Sequence, residues 1–224
     1  MQNEHIVKSY DEDLIRLKLL VIEMGKEVQS QLNAALKCVH SLSKEEADAV
    51  IQNDPLIDKR ERELDNFSVK ILALRHPVAK DLRTVVSALK ISSDLERIAD
   101  YAANMAKRSK QIETPLPKSS LTLTDKMVEA CQIMLTSVLT AYHEDDVEKA
   151  MKVWRDDSSI DEMYTSLLRE VLTYMMENPK NIGSCTQLLF IAKNIERVGD
   201  HLTNIAEMIY YQVYGEPFSE RKSK

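Results

Sequence analysis

Between positions 11 and 42, apolar residues fall at Leu14, Leu17, Val21, Met24, Val28, Leu32, Ala35, Val39 and Leu42. The steps alternate between three and four residues, which lays one stripe down a helix. Ser43-Lys44-Glu45-Glu46 has the order of a capping box, so a second helix starts there and runs to about Leu74. His76-Pro77 ends it, because the residue before a proline disfavours helical angles. A third helix is expected from about Val78 to Arg108. Pro115 and Pro117, flanked by Ser and Thr, then mark a linker. After it the pattern restarts. One helix is expected from about Thr124 to His143, with Met127, Cys131, Met134, Val138 and Ala141 inward. Another runs from about Asp145 to Glu177, stopped by Asn178-Pro179. The last runs from a second possible capping box at Ser184–Gln187 to Tyr214, where Gly215 suits a C-cap.

The restart is an internal repeat. LERIADYAANMA at 95–106 aligns with IERVGDHLTNIA at 195–206, so Glu96, Arg97, Asp100 and Asn104 recur as Glu196, Arg197, Asp200 and Asn204, at an offset of 100. DPLID at 54–58 aligns with DSSID at 157–161, at an offset of 103. A long amphipathic helix cannot hide its stripe alone, so three must bundle in each half. The expected architecture is all-α, two tandem pseudo-symmetric three-helix bundles of six long helices. The first bundle spans 1–112, a Pro-containing linker 113–122, and the second bundle 123–224.

Composition agrees with long helices: only 4 Gly and 6 Pro leave little material for turns. The net charge of −6 comes without a basic patch, which argues against a nucleic-acid partner. The first ten residues have no apolar core of a secretory signal, and no run of about 18 apolar residues occurs. Cys38, Cys131 and Cys185 are scattered, which argues against a disulfide framework and for a reducing compartment. They read as small apolar fillers, and a cytoplasmic location is expected.

The chemistry lies in the repeated acids. With Glu96 at zero on a helical wheel, Asp100 lies near 40° and Asn104 near 80°, while Leu95, Ile98, Ala102 and Met105 gather at about 180–260°. The acids thus face away from the packing stripe, and Glu196 and Asp200 repeat this against Ile195, Val198, Leu202 and Ile205. Small residues beside them, Ala99 and Ala103 in one copy and Gly199 and Thr203 in the other, leave room for an ion or a partner. The pairs Asp54/Asp58 and Asp157/Asp161 stack like charges one turn apart, at roughly 0.2–0.5 kcal/mol each against the helix. A cation held between neighbouring helices would remove that repulsion, and oxygen ligands suit magnesium, manganese, calcium or iron. The bland reading is a solvated acidic face, with Arg97 and Arg197 paired to the acids or turned to an acidic partner. His201, beside Asp200, reads more readily as a packed or solvent-facing histidine than as a ligand, and Trp154 as core. No Gly-rich phosphate loop, nucleophile elbow or Cys-His pairing points to catalysis. A non-enzyme is therefore expected, with a phosphatase-like carboxylate metalloenzyme and a metal-free helical scaffold as the alternatives.

ERIAD at 96–100, ERVGD at 196–200, ALRHPVAKDLR at 73–83 and LLREVLTYMMENP at 167–179 resemble the PhoU family, accessory proteins of phosphate-specific transport. The resemblance covers nearly the whole chain. It implies a pair of three-helix bundles and metal ligands at Asp54, Asp58, Glu96 and Asp100, and again at Asp157, Asp161, Glu196 and Asp200. Iron, manganese, magnesium, calcium and zinc are the metals to expect. It further implies a negative regulator of the phosphate-starvation response that restrains uptake. Such a regulator links a phosphate ABC transporter ATPase to a sensor histidine kinase, often as a homodimer. It would have no membrane span and would reach the membrane through its partners. The family's R-x-P-x-x-x-D-L-R stretch is intact as Arg75, Pro77, Asp81, Leu82 and Arg83, while the second half keeps only Pro179. The first half is therefore expected to carry more of a partner surface; across the chain, Arg75, Asp81, Arg83, Arg97 and Arg197 are the candidate partner-binding residues. Ala99 stands where the family often has Gly, on what the wheel makes an exposed face.

Overall fold

The computed structural model describes the backbone of residues 2–219 and the side chains of residues 10–219; residue 1 and residues 220–224, the outermost positions of the two expected repeats, lie outside the description. Seven α-helices and one 3₁₀ turn make up the described residues, with no strand among them. They are α1 (Gln2–Ser41), α2 (Lys44–Arg75), α3 (Ala79–Ser109), α4 (Lys118–Glu144), α5 (Val147–Asp156), α6 (Ser158–Glu177) and α7 (Ile182–Tyr214). Helices α1 to α3 form one three-helix bundle, and α4, the broken pair α5 and α6, and α7 form the other.

The stripe of α1 is buried from Leu17 through Val39, and Gln31 lies among its apolar residues at 3% exposure. Leu42, expected at the end of that stripe, is instead exposed, because it turns left-handed (φ 52°) to close the helix. The Ser43 hydroxyl accepts from the Glu46 amide at 3.2 Å, as a capping residue should. The Glu46 carboxylate takes the Ser41 hydroxyl, however, so the reciprocal half of the box is missing.

Three boundaries differ from the periodicity. The helix expected to run unbroken from Asp145 to Glu177 is divided at Asp157. Ser158 and Ser159 turn their hydroxyls back onto the carbonyls of Arg155 (3.1 Å) and Asp156 (2.7 Å), a local competition that bends helices. Helix α4 begins at Lys118, directly after Pro117, rather than near Thr124. Ser184 is not a cap. It lies inside α7, which is preceded by the Pro179–Asn181 turn, and its hydroxyl accepts the linker amides of Glu113 (3.0 Å) and Thr114 (2.9 Å).

The bundles join along two antiparallel seams. Helix α1 crosses α4 closely at Gly25, where a Cβ would stand 2.6 Å from the Leu139 methyls. Gln29 and Thr136 (2.8 Å), Lys18 and Asp145 (2.8 Å), and His40 and Asp125 (2.5 Å) extend that seam. Helix α3 packs along the length of α7, with Arg83 donating to the Gln212 carbonyl at one end and Arg108 to Gln187 at the other. A pseudo-two-fold axis across these helices relates the halves. Cys38, Cys131 and Cys185 are buried free thiols, and no helix among the described residues is long and apolar enough to cross a membrane.

Candidate functional site

The repeated acids sit where α2 meets α3 and where α5 and α6 meet α7. In the first half, Asp54 and Asp58 on α2 face Glu96 and Asp100 on α3 closely enough for their charges to interact. Glu96 is not on an open face: its side chain is only 15% exposed. Burial, reinforced by the charge of Asp100, pushes its carboxyl up to about 7 against the pull of Arg97. Asp54 is also raised, by burial and then by Asp100 and Asp58, while Lys107 and Gln31 oppose the shift. A fifth acid, Glu61, belongs to this cluster; it is raised by burial and by Asp65, and accepts a hydrogen bond from Ser93.

Gln31 explains how Asp54 is held. Its amide nitrogen reaches Asp54 Oδ1 at 3.2 Å and the Ala99 carbonyl at 3.4 Å, while its amide oxygen accepts from Asn53 at 2.5 Å. Ala99, expected on an exposed face, is 1% exposed, because this side of α3 packs against α1. Sequence reasoning missed Gln31, although a polar residue one step before Leu32 in an apolar stripe is a readable signal.

The second half uses other means. At the offset of 103, Met134 stands where Gln31 does, so no amide steadies Asp157. Gly199 does so by absence: a Cβ there would lie 2.3 Å from Asp157 Oδ1, so the carboxylate occupies the notch the missing side chain leaves. The space read from the sequence beside Gly199 is thus filled by a carboxylate. Burial and the charges of Asp161, Asp200 and Glu196 raise Asp157 to about 6. Glu196 is 14% exposed, with Lys193 against Oε1 at 2.6 Å and Oε2 buried without a hydrogen bond.

Arginines cover both sites. Arg97 reaches Asp100 at 2.9 Å and Glu96 at 3.5 Å, and Arg197 reaches Asp200 at 3.1 Å and Glu196 at 3.9 Å. Both are therefore turned onto the acids in this conformation. Among the described residues, no three His, Cys, Asp or Glu side chains already converge as the ligands of one ion do. His201 faces the other half, with Nδ1 2.7 Å from Asp94 and its ring 5.6 Å from that of Tyr101.

The arginine-rich stretch of the first half braces a strained turn. His76 and Ala79 are both left-handed (φ 48° and 47°), a cost of order 1–3 kcal/mol each. Arg75 binds Asp13 at 2.8 Å, Asp81 accepts the Tyr10 hydroxyl at 3.0 Å, and Arg83 ties the start of α3 to the end of α7. The polar heads of Arg75, Asp81 and Arg83 thus make contacts within the chain. Apolar Leu74 and Val78 are turned outward, at 64% and 74% exposure.

A duplicated helical protein with one buried-edge carboxylate site per repeat is the class these features define. The PhoU domain model matches residues 21–109 and 124–209, so both repeats are covered. Curated relatives agree in length. A protein of Xylella fastidiosa is 45% identical over 224 residues, spanning 99% of this chain and 94% of its own. One of Caulobacter vibrioides is 41% identical over 222 residues, spanning 99% and 96%. Both carry the description phosphate-specific transport system accessory protein PhoU homolog. The crystal structure of PhoU from Pseudomonas aeruginosa superposes with a TM-score of 0.86 at 33% identity, covering 92% of this chain and all of that one. The chain belongs to the PhoU family.

Proposed function

We propose that this protein is a cytoplasmic, non-catalytic accessory regulator of phosphate-specific transport. It restrains uptake and the phosphate-starvation response by bridging a transporter ATPase and a sensor histidine kinase. The observation that carries the reading is full-length kinship with accessory proteins of that system, joined to the retention of both acidic motifs. It works as a homodimer and reaches the membrane through its partners. Deleting the gene should derepress phosphate-starvation genes in phosphate-rich medium. A pull-down from phosphate-replete cells should recover transporter and kinase components. Unchanged repression, with neither component recovered, would refute the reading.

The same proposal includes cation binding at Asp54, Asp58, Glu96 and Asp100, and at Asp157, Asp161, Glu196 and Asp200. The residues fit a hard or borderline cation. The donors are all oxygens, Glu196 Oε2 is buried without a hydrogen bond, its only ion-pair contact being Arg197 at 3.9 Å, and the Gly199 notch admits the Asp157 carboxylate. A bound cation would supply charge that the acids otherwise draw from Arg97 and Arg197. Uptake is therefore an exchange in which these arginines swing out and become free for an acidic partner. Elemental analysis of the purified protein beside a Glu96→Ala, Glu196→Ala double variant tests this. Equal metal content in the two would sink the cation part and leave the regulatory part standing.

A further inference from the structure

Helix α5 is the shortest α-helix of the second bundle. It has ten residues, fewer than a helix needs to persist alone in water, and only Ala150, Met151 and Val153 are buried. It packs on α4 and α7 and meets α6 only near the bend at Asp157. Its last turn is held from outside. Trp154 donates its indole N–H to Glu207 on α7 at 3.0 Å. Beyond α7, Gly215 takes a left-handed conformation (φ 81°) and turns the chain back. Phe218 then packs edge-on against Trp154 (centroids 5.1 Å apart) and Tyr210 (5.3 Å), bridging α5 and α7. Three residues after Trp154 comes Asp157, lodged in the Gly199 notch of the same α7. Among the described residues, the first half shows no aromatic strap of this kind. Ile51 stands at the position matching Trp154, and α2 runs unbroken past Asp54.

We infer that the C-terminal segment Gly215–Ser219 is a latch that pins α5 to α7 and, through the bend at Asp157, sets where that carboxylate stands in the second site. The coupling to the site rests on the cation reading above; the latch itself does not. Released, the segment frees the last turn of α5, and Asp157 loses its fixed place opposite Asp200 and Glu196. Control of the second site then passes to whatever engages the tail, while the first site is untouched.

The test uses the full chain, its Phe218→Ala variant and a Phe190→Ala control. Phe190 is an exposed ring beneath Arg108 at the far end of α7. Trp154 is the sole tryptophan, so its emission reports the latch directly. Terbium(III), excited through that indole, is the cation probe for the second site, read by its titration midpoint. Phe218→Ala should shift Trp154 emission to the red and speed hydrogen exchange in 147–156 roughly five-fold or more, leaving 158–177 unchanged. It should also weaken the terbium midpoint roughly five-fold. Phe190→Ala should do none of these. Unchanged exchange in α5 overturns the latch. Faster exchange with an unmoved midpoint supports the latch and overturns its coupling to Asp157. Absence of sensitised terbium emission in the unmutated protein overturns the cation reading of that site, and the exchange data still decide the latch.

Discussion

Gly199→Ala is the most informative single substitution. The added Cβ would stand 2.3 Å from Asp157 Oδ1 and 3.2 Å from Ile160 Cδ1, so the carboxylate must leave its notch and the Ile160 methyl must give slightly. Three contributions decide the sign. Alanine is better than glycine inside a helix by about 1 kcal/mol. Ionised Asp157 is held where burial and neighbouring acids raise it to about 6 from an ordinary 3.8. That shift is worth about 3 kcal/mol in full, and solvent at this half-exposed group reduces it to about 1. Expelling the carboxylate into water recovers that cost, while crowding at Ile160 opposes by about 1 kcal/mol, the low end for an overpacked contact. The variant should therefore gain about 1 kcal/mol near pH 7.5 without added metal, or about 2–4 °C in melting temperature for a chain of this size. The pH trend discriminates further. A carboxyl raised in the folded state favours folding below its unfolded value, and that contribution fades as pH rises through the folded one. Asp157 therefore makes the unmutated protein lose stability between about pH 4 and 7. Gly199→Ala removes that contribution, so its advantage should grow with pH. The assay is a set of urea and thermal melts in chelator at about pH 4.5, 6 and 7.5, which span the linkage window. Destabilisation by more than about 2 kcal/mol at every pH would mean that backbone, not a side chain, absorbs the contact, and would refute the reasoning.

Three further outcomes follow from the same sites. Glu96→Gln should stabilise the metal-free protein by about 1 kcal/mol at pH 8 and change little at pH 5, since the carboxyl it replaces titrates at about 7; paired melts check this. Gln31→Met, which copies the second half, leaves Asp54 without its amide donor and should cost about 1–3 kcal/mol at neutral pH. Carbon-detected NMR should then show the Asp54 titration moved upward. Leu202→Ala, at a fully buried position on α7, should cost about 2–5 kcal/mol by urea denaturation, with α6 and α7 losing exchange protection together.

The helices were legible because each stripe keeps a three-four rhythm over several turns, and the two offsets made the duplication plain. The seam between the halves was not. Nothing in LERIAD and IERVGD says that α3 and α7 lie antiparallel, since a repeat fixes each half but not how the halves meet. The break at Asp157 was also hidden. Asp-Ser-Ser costs a helix only a few tenths of a kcal/mol per residue by propensity, and the bend comes from where the two hydroxyls turn. For the acids, the wheel correctly separated Glu96 and Asp100 from the stripe. It could not show that α2 closes over Glu96, because a wheel describes one helix and burial at its flank is set by another. Ser184 misled for a related reason: a hydroxyl that receives two linker amides has the same local sequence as a cap.

The antiparallel course of α3 and α7 also places the two proline turns at opposite poles of the molecule. Helix α3 alone has 31 residues, a span of about 45 Å. A body gripping the Arg75–Ala79 turn and another gripping the Asn178–Asn181 turn would stand that far apart, each clear of the other. The protein thus has the dimensions of a spacer with a handle at each end, the first of them stiffened by Arg75 and Arg83.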